Sequence, residues 1–472
     1  MKHIIYYSFF ILCLFLNACD DDKNEPKEDV ERPETIAWIE DGMREHYFWR
    51  EEIKKADALN YNATPETFFA SLLSSKDGKK GNPYSYIENI SGTTRGAIRS
   101  DYTYGFECCL VGFQDNRIGA RVLYVLPDSP ASSGKLKRGD WIFKINGEYL
   151  TNESVETLFG GEAAEFTVAY LDPSDGKLHL SPDVLYIDAA RAVEDNPVFH
   201  HDIFERAGKK IGYLVYNHFT AGKEDEADDK TYDDELRRLS GDFFDGVDEF
   251  ILDLRYNNGG LLSSAQLLCA IFTPSDKLDK DFGSLQYKYN DPKTRYYFKV
   301  NETLKNGNPT GKNLNLKRLY VLTSSMSASS SEAVINLLDP FMEVIIIGET
   351  TVGKNVGSSE YESDDKAWIM HPIICQILNS KGFTDYTDGF KPDYPKGEAF
   401  DYDEEGYIED IPVLCDLGNE NERLLKIALA LIDGSYTEDQ GTRSSHTPVS
   451  GKKVISSLDG KATNGVVIDV EP

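Results

Sequence analysis

The sequence predicts a multidomain α/β protein: a helical N-terminal region, a β-rich module and an α/β core on a largely parallel sheet. Three observations carry this. The chain has 472 residues, which suits about two to four domains. From about Gly208 to Gly348, apolar strand-like runs alternate with helical ones, the pattern of crossover units on a parallel sheet. From Tyr104 to Tyr186 the strands are short and separated by Gly, Pro and Asn-Gly turns. Charge narrows the function. With 80 acidic and 50 basic residues the formal charge is −30, which argues against nucleic acid as the partner. Hydrophobic residues at 40% are enough to exclude global disorder.

The N-terminus sets the expected compartment. Lys2 and His3 precede an apolar run from Ile4 to Leu16, too short for a membrane-spanning helix of about 20 residues and suited to a secretory signal. The run ends in Leu16-Asn17-Ala18-Cys19, which resembles a lipobox. Residues 1–18 are therefore expected to be a lipoprotein signal, with Cys19 lipidated. Residues 19–32, with Asp20, Asp21, Asp22, Glu25, Glu28, Asp29 and Glu31, then form an acidic flexible tether. The expected location is the bacterial cell envelope, lipid-anchored, at the outer membrane on its periplasmic or surface face. The remaining Cys108, Cys109, Cys269, Cys375 and Cys415 contain no C-x-x-C, so neither a zinc nor a dithiol redox site is indicated; they suit small core residues.

Residues 33–95 follow a helical pattern. Ile36, Ile39, Met43, Tyr47 and Phe48 recur at three- and four-residue spacing, and a second helix runs through Thr67–Leu73 until the Gly- and Lys-rich stretch 76–83 breaks it. The region is placed either to pack on the core or to join copies into a homo-oligomer. Residues 100–187 hold the β-rich module. Arg121–Leu126 reads as a buried strand, Ala131–Leu136 allows a short helix, and Trp141–Ile145 is a strand closed by the Asn146-Gly147 turn. Ser129–Leu150 (SPASSGKLKRGDWIFKINGEYL) resembles the centre of a PDZ domain, and Tyr104-Gly105-Phe106 resembles its carboxylate-binding loop, followed by the strand Glu107–Phe113. The resemblance implies that Tyr104, Gly105 and Phe106 capture a peptide C-terminus while its backbone extends the sheet.

The core spans 190–435. Strands are expected at Ile211–Tyr216, Phe250–Leu254, Leu319–Leu322 and Glu343–Gly348, with helices at Asp233–Leu239, Leu261–Phe272 and Ser331–Leu338. The polar tail, 436–472, is expected to be loosely ordered. Asp401–Asp410 lacks the bidentate Glu of a calcium loop, since Pro412 stands in its place, and reads as a solvated acidic loop. His46, His179, His200, His201, His218 and His371 show no metal-like spacing.

Three segments carry chemistry. Strand Leu319–Leu322 enters Thr323–Glu332 (TSSMSASSSE) and then a helix, and a serine at such a turn presents its oxygen near outward amides. Taken alone, Ser329-x-x-Glu332 also reads as a helix-capping box. After Glu343–Gly348, the turn Thr351-Val352-Gly353-Lys354-Asn355 places a lysine behind an apolar strand, where burial lowers an amine's pKa and makes it a base. Leu252–Gly260 (LDLRYNNGG) ends a strand in tandem glycines that allow close approach of a substrate backbone.

Together with IGYLVYNHFT at Ile211–Thr220, SASSSE at Ser327–Glu332, GETTVGKN at Gly348–Asn355 and Gly389–Tyr394, these segments resemble the C-terminal processing peptidases, or tail-specific proteases, over most of residues 100–435. The resemblance implies Ser329 as nucleophile and Lys354 as general base. It implies an oxyanion hole from the amides of Ser330 and Gly260, with Gly259 as the alternative. Family members carry a glutamine four residues after the lysine; here Ser358 stands there, so the third member falls to Ser358, to Ser359 or to nothing. Protein or peptide substrates bound through their C-termini are implied, with no metal or organic cofactor. Two other readings fit the same residues: a non-catalytic envelope protein that binds protein tails, and an acyl hydrolase on the same scaffold.

Overall fold

The computed structural model describes residues 32–437 except 80, 91–101, 114–115, 173, 176, 224–228 and 403–406, together with 451–458 and 466–469. The signal, Cys19 and most of the tether lie outside the described residues. The core is organised by a sheet in the order Tyr394–Pro395, Glu343–Gly348, Arg318–Thr323, Glu249–Asp253, Lys209–Tyr216, Val198–Arg206. All neighbours are parallel except the last pair, which is antiparallel. Its strands are continuous apolar runs because both faces are covered. Helices Thr231–Asp242, Leu262–Phe272 and Ser330–Leu338 cover one face, joining Leu236, Leu268 and Leu337 to Leu214, Leu252 and Val321. Helix Arg423–Asp433 covers the other, packing Leu425 and Leu429 on Tyr213, Ile251 and Leu322.

A second sheet has the order Gly260–Leu261, Val466–Val467, Val356–Ser358, Ile373–Asn379, Gly283–Gln286, Arg295–Phe298. It carries the segments that follow the tandem glycines and the lysine turn, so it forms one wall of the site.

The β-rich module is an antiparallel sheet in the order Gly451–Ser456, Phe106–Phe113, Ile118–Val125, Trp141–Ile145, Ala164–Asp172, Lys177–Ile187. Alternation along the strands gives it two apolar faces. Phe106, Cys108, Ile142 and Phe166 close its own core over the short helix Pro130–Ser133. Cys109, Leu123 and Trp141 face the other way, onto Tyr256, Met326 and Phe400 of the core. Cys108, Cys109, Cys269 and Cys375 are buried free thiols, and Cys415 is partly exposed.

The helical N-terminal region packs on the core. Helices Glu34–His46 and Pro65–Leu72 bury Ile39, Met43, Phe68 and Leu72 with Val356, Met370 and Ile373. Thr64 caps the second helix through the Thr67 N–H, with Pro65 in its first turn. Strand Tyr86–Asn89 then pairs antiparallel with Trp368–His371, a β element that the helical expectation for 33–95 did not include.

Two expectations are corrected. The tail is not loosely ordered where it is described: Gly451–Ser456 and Val466–Val467 are strands in two different sheets. Composition misled because Gly451–Ser456 lies at the end of its sheet's strand order, where backbone pairing needs no apolar run, and because Val466–Val467 is only two residues long and takes its place by pairing on both sides with strands distant in sequence. The acidic segment near 401–410 is a hairpin of Asp401–Tyr402 with Ile408–Asp410, with Asp401 paired to Arg423 and buried Phe400, Ile408 and Ile411 alongside.

Candidate active site

Two loops at the carboxyl ends of adjacent parallel strands are stitched together. Ser327 Oγ donates to the Leu254 carbonyl at 2.8 Å and Ser324 Oγ to that of Arg255. The Asn257 carbonyl accepts from Ala328 N–H at 3.1 Å and Ser331 Oγ at 2.9 Å. The serine-rich run thus anchors one loop on the other.

Ser329 has φ 65° and ψ −111°, immediately before the helix Ser330–Leu338. A residue with a Cβ pays about 1–3 kcal/mol for such a conformation, which persists because the surrounding bonds over-determine it. Glu332 reaches back and accepts the Ser329 N–H at 2.8 Å. The two side chains stand in capping-box arrangement, yet Ser329 Oγ is buried with no fully formed hydrogen bond among the described residues.

Glu332 also fixes the lysine turn. The Oε2 that accepts Ser329 N–H accepts Lys354 N–H at 2.8 Å, while Oε1 accepts Gly353 N–H at 2.6 Å and Thr351 Oγ1 at 2.5 Å. One carboxylate therefore joins the serine turn to the lysine turn. The Val352 N–H adds a bond to the Ser327 carbonyl at 3.0 Å. Lys354 is 0% exposed. Burial pushes its pKa down to about 8, against the opposing pull of the Asp77 and Glu332 carboxylates. Its Nζ lies 4.8 Å from the centre of the Tyr84 ring. Burial also raises the Glu332 carboxyl, opposed by the hydrogen bonds it accepts.

Asp77 and Tyr84 come from the N-terminal region, and sequence reasoning missed both. Asp77 accepts Tyr47 OH at 2.8 Å and the Tyr84 and Ser85 amides at 2.9 and 3.1 Å, so it is held rigidly. No motif marks either residue; only the packing of the N-terminal region on the lysine turn places them there. Lys79 Nζ reinforces that packing by donating to the Val352 carbonyl at 2.8 Å.

The tandem glycines adjoin the serine. Gly259 has φ 115°, and a Cβ built on it would lie 2.8 Å from Ser329 Cβ and 3.2 Å from the Ser330 nitrogen. Only glycine fits there. Its N–H donates to Asn257 Oδ1 at 2.9 Å, so serving as the alternative oxyanion donor would require that bond to be given up. Gly260 is tied to the helix start by its carbonyl, which accepts Ser330 Oγ at 2.7 Å. The Ser330 N–H opens the helix and has no intrahelical acceptor. We expect Gly259→Ala to lower kcat by about 100-fold or more with the fold retained, since displacements of about 1 Å at a reacting centre cost that much; steady-state rates beside far-ultraviolet circular dichroism check it.

The remaining expected residues are placed as follows. Ser358 is buried in the strand directly after the lysine turn, and its carbonyl accepts the Ile468 N–H at 2.9 Å. In the expected peptide loop, Gly105 has φ 83° and donates its N–H to Thr103 Oγ1 at 3.0 Å, which leaves fewer amides for a carboxylate than expected. Tyr104 is buried with its OH on the Glu162 carbonyl at 2.6 Å, and the Phe106 side chain lies in the core of the module. Among the described residues one group could hold a metal, Asp172, Asp175 and His179 on an outer hairpin; the His179 ring already contacts Asp175 at 2.9 Å.

Fold and site together have the architecture of a serine peptidase, with the serine turn and a buried lysine at the ends of parallel strands. Comparison with known proteins narrows the class. Residues 210–395 match the model of peptidase family S41, and residues 34–86 match that of the peptidase S41 N-terminal domain. The crystal structure of a Bacteroides fragilis NCTC 9343 protein assigned to the S41 proteases is 33% identical, has a TM-score of 0.72, and matches over 85% of this chain and 98% of its own. The carboxy-terminal processing protease CtpA of Bacillus subtilis (strain 168) is 25% identical over 307 residues, 63% of this chain and 58% of that protein. The carboxyl-terminal-processing protease of Picosynechococcus sp. is 26% identical over 250 residues, 52% and 53% of the two chains. The chain spans about half the length of the curated relatives it matches. The chain belongs to peptidase family S41.

Proposed function

We propose that the protein is a serine endopeptidase of the C-terminal processing type, cleaving unfolded or C-terminally exposed polypeptides through a Ser–Lys acyl-enzyme. The observation that carries this reading is the Glu332 carboxylate, which holds the amides of Ser329 and Lys354 on a single oxygen while Lys354 is buried. Ser329 Oγ attacks the scissile carbonyl as its proton passes to Lys354 Nζ. The amides of Ser330 and Gly260 stabilise the oxyanion, each contributing about 3 kcal/mol when well placed. Collapse breaks the C–N bond, and Lys354 returns the proton to the leaving amine. Water then releases the acyl group by the same route. Ser358 is proposed to orient the lysine. The β-rich module is proposed to act as a PDZ-like receptor for extended tails, in keeping with its strand Phe106–Phe113, which already pairs along one side with the extended segment Gly451–Ser456. The lipobox at Cys19 supports anchoring in the cell envelope.

The base must be neutral to accept a proton. Lys354 titrates at about 8, so below that pH it carries the proton it has to take up. kcat/KM for an unfolded protein is expected to rise with pH through about 8 and level off above it. Fragments mapped by mass should show internal cleavage. Absence of cleavage from neutral pH to above the plateau sinks the reading, and a profile flat through that range removes Lys354 as the base.

A further inference from the structure

The segments 451–458 and 466–469 pair with the strand Phe106–Phe113 and with the strands that follow the tandem glycines and the lysine turn. Gly451–Ser456 pairs antiparallel with the outer edge of Phe106–Phe113, in register from Phe113↔Gly451 to Cys109↔Ser456. Ser457 continues the pairing: its N–H donates to the Cys108 carbonyl and its Oγ accepts the Cys108 N–H, both at 2.9 Å. Leu458 then reaches the tandem-glycine turn. Its carbonyl accepts Asn258 Nδ2 at 2.6 Å, and its side chain is buried near Tyr256 and Met326.

Val466–Val467 fills the interval between the two walls of the site. Val466 is in register with Gly260 on one side and Gly357 on the other, and Val467 with Leu261 and Ser358. The strand is parallel to both neighbours. Ile468 N–H donates to the Ser358 carbonyl at 2.9 Å, and the Ile468 side chain enters a buried niche left open by Gly357, where an added Cβ would lie 2.6 Å from Ile468 Cδ1. The Asp469 carboxylate accepts the Ser263 N–H at 3.0 Å and the Ser263 hydroxyl.

We propose that these two segments are an intramolecular occupant of the substrate track, so that a polypeptide binds by displacing them strand for strand. The proposal rests on the peptidase reading for the identity of the ligand. Its physical basis is that backbone pairing on a sheet edge is tolerant of sequence, so one extended chain can replace another at the same positions. A bound chain whose carbonyl meets the Gly260 amide needs the interval that Val466 fills, and a chain captured on Phe106–Phe113 needs the edge that Gly451–Ser456 fills. The niche at Gly357 further assigns an aliphatic residue to the substrate position that replaces Ile468. An occupant in place most of the time lowers the apparent affinity by the fraction of molecules in which the track is open.

The test uses the full chain carrying Ser329→Ala, so that binding is read without turnover. The probe is fluorescein-labelled, reduced and carboxymethylated lactalbumin. Ile468→Asp, which places a charge in the niche, is expected to tighten probe binding by about tenfold, and Asp469→Ala to tighten it by a smaller factor. Hydrogen exchange provides the second arm. Segments 451–456 and 466–469 should be protected in the Ser329→Ala protein alone and exchange when the probe saturates it, while Glu249–Asp253 stays protected and reports an intact core. Unchanged affinity in both variants, or tail segments still protected at saturation, overturns the proposal. Neither arm needs cleavage, so an inactive protein would sink the peptidase reading and leave this one decidable.

Discussion

Ser329→Ala and Lys354→Met are each expected to stop turnover of an unfolded polypeptide, with kcat falling by about 10³- to 10⁶-fold, and the double variant is expected to be no slower than the slower single one. The reason is that in the proposed mechanism the two groups perform one step. Without the hydroxyl no ester forms; without a neutral amine the hydroxyl keeps its proton, and its attack has no sink for the charge. What would survive is the contribution of the proposed oxyanion amides of Ser330 and Gly260 and of substrate binding, common to all three variants. Additive losses would show that the two side chains act in separate steps and would remove the shared mechanism. The structural consequences differ. Lys354→Met replaces an amine that burial already disfavours in its charged form, with nearly the same volume, so the melting temperature is expected not to fall. Thermal unfolding by differential scanning calorimetry then separates loss of chemistry from loss of fold.

Much of this site was legible in the sequence, for a physical reason. A nucleophile turn, a lysine after an apolar strand and tandem glycines are local features, each fixed by a few consecutive residues. The strands Trp141–Ile145 and Glu343–Gly348 and the helix Leu262–Phe272 were equally legible, because continuous apolar runs between turns leave few alternatives. What escaped depends on contacts distant along the chain. Asp77 and Tyr84 reach Lys354 only once the N-terminal region has docked, and no spacing encodes that. Glu332 could be read as a cap, yet its hold on Lys354 becomes visible only with the two loops in place. The bond from the Gly259 amide to Asn257 Oδ1 likewise shows only in the folded turn. The tail strands were missed because composition reports side chains, and these segments are held largely through backbone.

The second large effect lies beneath the site. Arg255→Met is expected to lower stability by about 3–5 kcal/mol, because it leaves buried carboxylates without their cation. Arg255 is fully buried and pairs with Asp253 at 2.7 Å and Glu422 at 2.6 Å. Tyr213 OH adds a bond to Asp253 at 2.8 Å, and Arg138 of the β-rich module reaches the same cluster through Glu398 at 2.8 Å. The network therefore ties the module and helix Arg423–Asp433 to the loop that carries Asn257 and the tandem glycines. Burial alone would raise the Glu422 carboxyl, but Arg255 and Arg138 more than offset it and hold its pKa at about 2. A carboxyl depressed from its ordinary value near 4.3 contributes stability that is full above that value and lost as pH falls toward the folded value. The difference between wild type and Arg255→Met should thus be largest where the stranded carboxyl is ionised in both proteins and shrink as pH falls through that carboxyl's raised pKa in the variant toward the wild-type value of about 2, because in the variant the unpaired carboxyl takes up its proton earlier. Adding Glu422→Gln to Arg255→Met removes one stranded charge and is expected to recover part of the loss, since much of the cost of breaking a buried pair lies in the partner left behind. Urea unfolding at two pH values measures both effects. An Arg255→Met protein as stable as wild type near neutrality would mean that the cluster is solvated enough to dispense with its cation, and the buried network would no longer account for how the module and the glycine loop are held together.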